Sequence, residues 1–156
     1  MFTLAFVQLV IASEHNMLQR ESIFETIALL FSNFSVDYIF ISPFIGAFGS
    51  FVTGSATVSN LIFGSLQYNL ATVNNISTSL ILALQSSGAA FGNMIAIHNV
   101  IALLALLKLK NQESKIIKNN LKVCLLFCLI ASFIGFIIYF LIYSIFTDYK
   151  FLHQYY

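Results

Sequence analysis

Two apolar stretches of this chain are each broken by a run of hydroxyl, glycine and amide residues, and the elements follow from that pattern. The first break, Thr53-Gly54-Ser55-Ala56-Thr57-Val58-Ser59-Asn60, separates an apolar segment that opens at Ser42-Pro43 from a second one over residues 61–70. Proline tolerates the first helical position, where its missing N–H would be unpaired anyway, so a helix is expected to start at Pro43. That helix would be too short to cross a bilayer alone. Gly46, Ser50 and Gly54 recur along it at four-residue spacing, a face of small side chains that lets another backbone approach. The second break, Gln85-Ser86-Ser87-Gly88-Ala89-Ala90-Phe91-Gly92-Asn93, lies inside an apolar run over residues 80–107. Lipid cannot satisfy exposed backbone groups, so both tracts should face protein, water or a ligand. Paired, interrupted segments point to a midplane site at which half-helix N-termini offer N–H groups and positive dipole ends to an anion.

The remaining elements read in order along the chain. Residues 1–12 form a partial span, since a helix over 2–12 rises only about 16 Å, half the hydrocarbon thickness. Residues 13–35 hold Glu14, His15, Arg20, Glu21 and Glu25 and read as an interfacial segment, with a capping box at Ser22-Ile23-Phe24-Glu25. Residues 108–122 carry five lysines against the single Glu113, a basic loop that the positive-inside rule places in the cytoplasm. The last span is expected over 121–146. It would deliver a tail, 147–156, to the opposite side, where Tyr143, Tyr149, Tyr155 and Tyr156 suit an aromatic belt.

Composition narrows the class. Hydrophobic residues fill 59% of the 156 positions and charged ones 8%, with a mean hydropathy of +0.90. Soluble domains carry about 25% charge, so this chain has lipid as its solvent: an all-α integral membrane protein. A net charge of +1 and the lack of any basic-aromatic stripe set nucleic acid aside. Cys124 and Cys128, four apart in an apolar run, should share one helix face as small buried side chains. There is no metal-spaced His/Cys cluster, phosphate-binding glycine loop, nucleophile elbow or carboxylate pair, so neither a cofactor, a metal nor an enzymatic reaction is expected.

The run Ser42-Pro43-Phe44-Ile45-Gly46-Ala47-Phe48-Gly49-Ser50-Phe51-Val52-Thr53-Gly54-Ser55, continuing through Thr57-Val58-Ser59-Asn60-Leu61-Ile62-Phe63-Gly64 to Gln67, resembles the signature of the lactate permeases. Gln85-Ser86-Ser87-Gly88 with Gly92-Asn93-Met94-Ile95, the basic loop and the closing span follow that family's order, so the resemblance covers about residues 36–146. It implies an inner-membrane carrier of L-lactate, glycolate and similar 2-hydroxycarboxylates, driven by a proton gradient. It also implies a larger inverted-repeat transporter of the ion transporter superfamily, built as a helical bundle. Residues 36–70 would then be a re-entrant hairpin with a polar tip, and 77–107 a broken helix. Family members are several times longer, so the chain reads as a C-terminal part whose partner is the missing N-terminal portion; a non-transporting remnant or subunit is the alternative.

Candidate site residues come from the two breaks. Thr53, Ser55, Thr57, Ser59 and Asn60 offer hydroxyls, an amide and freed backbone N–H groups to a substrate carboxylate, and Ser86, Ser87, Gly88 and Asn93 do so from the second break. The competing reading of each set is helix packing through small polar residues. His98, five residues past Asn93, and Asp37, just before the apolar stretch to Ile41, are the ionisable candidates for proton coupling.

Overall fold

The computed structural model describes residues 37–109 and 111–153, with side chains through residue 141. The partial span at 1–12, the interfacial segment at 13–35 and the end of the tail lie outside the described residues. Five helices occupy the described chain: α1 Tyr38–Thr53, α2 Ala56–Val73, α3 Thr78–Gly92, α4 Ile97–Leu106 and α5 Glu113–His153, with a 3₁₀ turn at Asn93–Ile95 between α3 and α4. No strand occurs among the described residues, and the protein is an all-α membrane protein.

α1 begins at Tyr38 rather than at Pro43, which sits inside it. Tyr38 and Ile39 are fully buried, and their packing carries the helix back across the proline. Such prolines are tolerated in membrane helices because neighbours re-satisfy the freed backbone groups. The helix ends where Gly54 turns left-handed, at φ 69°, and its N–H donates to the Ser50 carbonyl at 2.7 Å. Ser55 then swings to an extended conformation and its Oγ accepts from Val58 N–H at 3.3 Å, capping α2. Two residues thus reverse the chain into a tight helical hairpin. The α2–α3 turn uses Asn75 at φ 54°, and Ser77 caps α3.

The second break falls later than its polar composition suggests. Residues 85–92 are helical, and the chain bends by 47° between Thr78–Ile95 and Ile97–Leu106. Ser87 bonds back to the Ala83 carbonyl at 2.9 Å, while Gly88 and Gly92 are buried against α1. Small side chains here close the gap between helices instead of unwinding one. A Cβ on Gly88 would stand 1.8 Å from the Pro43 carbonyl oxygen, on Gly92 2.1 Å from that of Ala47, and on Gly46 2.2 Å from that of Gln85. α1 and α3 therefore run parallel with their backbones in contact.

α5 returns antiparallel over both. Asn120 donates to the Met94 carbonyl at 3.0 Å, Cys128 approaches the Pro43 carbonyl at 3.8 Å, and Ser132 donates to the Phe40 carbonyl at 2.9 Å. Its buried face is a stripe of small residues, Cys124, Cys128, Ser132 and Gly135, with both cysteines free and buried as their spacing suggested. Outside that stripe the described side chains over residues 123–141 are largely apolar and exposed, with only 22% of the most hydrophobic window buried, which suits lipid or further membrane helices on that side. At 41 residues α5 rises about 60 Å, twice the hydrocarbon thickness. The expected last span lies within it, and Lys115, Lys118 and Lys122 belong to the helix rather than to a loop; the helices on either side of the link end at Leu106 and begin at Glu113.

Candidate functional site

The two interruptions of the sequence meet in space. Asn99, in the first turn of α4, sends its Nδ2 to the Gly54 carbonyl at 3.3 Å, to the Asn93 carbonyl at 3.2 Å and to Asn93 Oδ1 at 2.9 Å. One side chain thereby ties the hairpin tip to the break between α3 and α4. The exposed His98 imidazole lies directly over Gly54; a Cβ there would fall 1.5 Å from the ring atoms Cε1 and Nε2. Thr53 stiffens the tip, its Oγ1 lying 2.8 Å from the Gly49 carbonyl and 3.1 Å from that of Ser55, and accepting from Ser55 N–H at 3.3 Å.

Electrostatically, this junction gathers two helix N-termini. α2 starts beside Gly54 and carries its own cap in Ser55. α4 starts at Ala96, which has no side-chain acceptor to offer, so the N–H groups of the first turn of α4 have no capping side chain from that residue. Each N-terminus carries the equivalent of about half a positive charge, and anions settle there readily.

A polar seam leads from the junction along α2 and α3. Thr57 and Asn60, three apart, share a face of α2; Thr57 is exposed and Asn60 half-buried. Asn60 Nδ2 donates to the exposed Ser86 of α3 at 3.3 Å. Beneath the seam runs a buried chain of side-chain hydrogen bonds. Tyr38 Oη donates to Gln67 Oε1; Gln67 Nε2 donates to the Ser42 carbonyl at 3.2 Å and to Gln85 Oε1 at 2.8 Å. Gln85 Nε2 donates in turn to Ser59 Oγ at 3.3 Å and to Asn60 Oδ1 at 3.4 Å, and Ser59 donates to the Gly46 carbonyl at 2.9 Å. Tyr38, Gln67, Gln85 and Ser59 are all buried, so these bonds replace water that cannot reach them.

The sequence candidates sort by position. Thr53, Ser55 and Asn93 are at the junction, with His98 over it; Thr57, Asn60 and Ser86 line the seam, with Ser59 just beneath. Ser87 lies on a different face of α3, in the groove shared with α5, and Gly88 is buried against Pro43. Asp37 is exposed at the opposite end of α1 from the tip and, although it occupies the N-cap position, its carboxylate makes no capping bond. Sequence reasoning passed over Asn99, Gln67, Gln85 and Tyr38 as site components. Their one signal was a polar group inside an apolar run, which needs a partner. Among the described residues no three His, Cys, Asp or Glu side chains gather where they could hold a metal ion.

A hairpin tip pinned to a broken helix inside an all-α membrane fold defines the class of broken-helix membrane proteins. The L-lactate permease family model matches residues 1–142, and the chain belongs to that family. It is 52% identical over 80 residues to a Haemophilus influenzae protein named "Putative L-lactate permease", a match covering 51% of this chain and 15% of that protein. It is 38% identical over 102 residues to the Escherichia coli K12 glycolate permease GlcA, covering 65% and 18% of the two chains. The Bacillus subtilis L-lactate permease is 36% identical over 97 residues, covering 62% and 16%. The chain thus spans less than a fifth of the length of these relatives. No solved structure gives a significant match.

Proposed function

We propose that this chain forms the anion-binding part of a bacterial plasma-membrane carrier for L-lactate, glycolate or a similar 2-hydroxycarboxylate. It acts with further spans corresponding to the N-terminal portion of its relatives. The carboxylate is taken at the junction of hairpin tip and helix break, and the substrate hydroxyl by the seam. The observation that carries this reading is the Asn99 side chain, which binds Gly54 and Asn93 together and so holds two helix N-termini at one place. Thr53, Ser55 and Asn93 shape that place; Thr57, Ser59, Asn60, Ser86, Ser87 and Gly88 are the remaining substrate-site candidates. Transport is proton symport, with His98 over the tip as the first coupling candidate and Asp37 as the second. The basic segment at residues 108–122 is cytoplasmic, and transport, not catalysis, is the activity.

The test is uptake of labelled L-lactate by cells co-expressing this chain with the rest of a full-length relative. Uptake is expected to rise as external pH falls, and to drop at least tenfold in Asn99→Ala and Asn60→Ala at unchanged protein levels. Undiminished uptake in Asn99→Ala would remove the junction from the site, and pH-independent uptake would remove the proton.

A further inference from the structure

The buried amide chain beneath the seam has a direction, and that direction reaches the surface. It starts at a backbone carbonyl, which can only accept: Ser42 O faces Gln67, so the group of Gln67 turned toward it must be the NH₂, at 3.2 Å. The same NH₂ lies 2.8 Å from Gln85, whose facing atom is therefore the carbonyl oxygen. Gln85 then turns its own NH₂ to Ser59 Oγ and to Asn60, and Asn60 answers with its carbonyl at 3.4 Å. Ser59 can accept because its hydroxyl proton is committed to the Gly46 carbonyl at 2.9 Å. Reversing any one amide would set two donors or two acceptors face to face in a buried site, leaving groups without partners where water cannot reach them. The orientation is thus dictated by chemistry from a fixed carbonyl outward.

The consequence falls on the half-buried Asn60 and the exposed Ser86. With its oxygen turned inward, Asn60 presents its NH₂ at the seam; one proton goes to Ser86 Oγ, and no second acceptor is bonded to it among the described residues. Ser86, accepting from Asn60, has its own hydroxyl proton to give. We propose that Gln85, fixed by Gln67 and the Ser42 carbonyl, is a positioning residue that holds Asn60 donor-outward, so that the Asn60–Ser86 edge of the seam binds an acceptor, a carboxylate or hydroxyl oxygen of the substrate, and disfavours cations. This inference rests on the carrier reading above and adds to it which group faces the ligand and why. Tyr38 is not needed for the orientation, because the Ser42 carbonyl alone fixes Gln67.

The experiment follows side-chain amide signals by ¹⁵N NMR in this chain, labelled and held in phospholipid nanodiscs together with the remaining spans of a full-length relative, titrated with sodium L-lactate against sodium chloride. The Asn60 NH₂ signals are expected to shift saturably with lactate and not with chloride. Gln85→Met keeps the side-chain length but removes the donor facing Asn60, so nothing holds the Asn60 oxygen inward. The lactate response at Asn60 should weaken at least tenfold while the Gln67 signals, still bonded to Ser42, persist. Should Gln85→Met fail to fold, Asn60→Asp, which swaps donor for acceptor at the half-buried edge itself, is expected to weaken lactate binding by a similar factor, read from the backbone amides around residue 60. Unchanged affinity in a folded Gln85→Met or in Asn60→Asp overturns the proposal. So does a lactate response confined to the backbone amides of residues 97–99, which would leave the carrier reading standing. Absence of any lactate response anywhere overturns both.

Discussion

Gly54 is the residue on which the junction turns. Its φ of 69° lies in the left-handed region, where a side chain costs about 1–2 kcal/mol, and the His98 ring occupies the space a Cβ would need. Gly54→Ala is therefore expected to lower stability by about 2 kcal/mol or more and to displace His98 from the tip, with lactate uptake falling along with the denaturation midpoint. Ser50, one turn earlier, is the counter-example. Its buried Oγ has no hydrogen-bond partner among the described residues, an arrangement that costs free energy rather than supplying it. Ser50→Ala is expected to leave stability unchanged or raise it by up to about 1 kcal/mol, measured by the same denaturation. A marked loss would mean that the hydroxyl serves a ligand or another part of the carrier.

Between elements, the governing fact is the approach of α1 to α3, and a matched pair of glycines tests it. A Cβ on Gly88 would meet the Pro43 backbone, which cannot yield, whereas Gly64 on α2 has nothing within 4 Å. Gly88→Ala should separate the helices and cost several kcal/mol, while Gly64→Ala should be neutral or gain up to about 1 kcal/mol from helix propensity. Equal effects would mean that the α1–α3 contact is looser than it stands here. The same contact explains what was legible in the sequence. Two breaks were announced by polar residues where lipid demands helix, the resemblance turned them into a hairpin and a broken helix, and plain periodicity gave the shared face of Cys124 and Cys128. The place of the second bend was not. Serine and glycine can unwind a helix or pack one tightly, and Gly88 and Gly92 pack because Pro43 and Ala47 stand opposite, which only the tertiary arrangement decides. Asn99 escaped notice for a related reason: its partners, Gly54 and Asn93, lie 45 and 6 residues away, and no local pattern links an amide to a distant carbonyl.

For the whole molecule, the open question of orientation follows from α5 and the link before it. α5 is far longer than the hydrocarbon is thick, so one end must project. The apolar, lipid-suited part lies in the window ending at Leu141, while Lys115, Lys118 and Lys122 cluster near Glu113 at the helix start, with exposed Lys108 just before. Lysines beside a span are retained on the cytoplasmic side, so the expectation is that α5 runs outward and the link before it lies inward. Asn111, exposed and at φ 60°, offers a place to read this directly. Cys124 and Cys128 are 1% and 0% exposed, so they should stay silent toward a membrane-impermeant maleimide without being replaced. Asn111→Cys is expected to react in inside-out vesicles and not in intact cells. Because α1 and α3 run antiparallel to α5, the same result would direct the hairpin tip and the helix break toward the cytoplasmic side of the α1–α3 pair. That would make the junction around Asn99 the face from which substrate is released during uptake. Labelling in intact cells instead would invert the chain and make that junction the loading face.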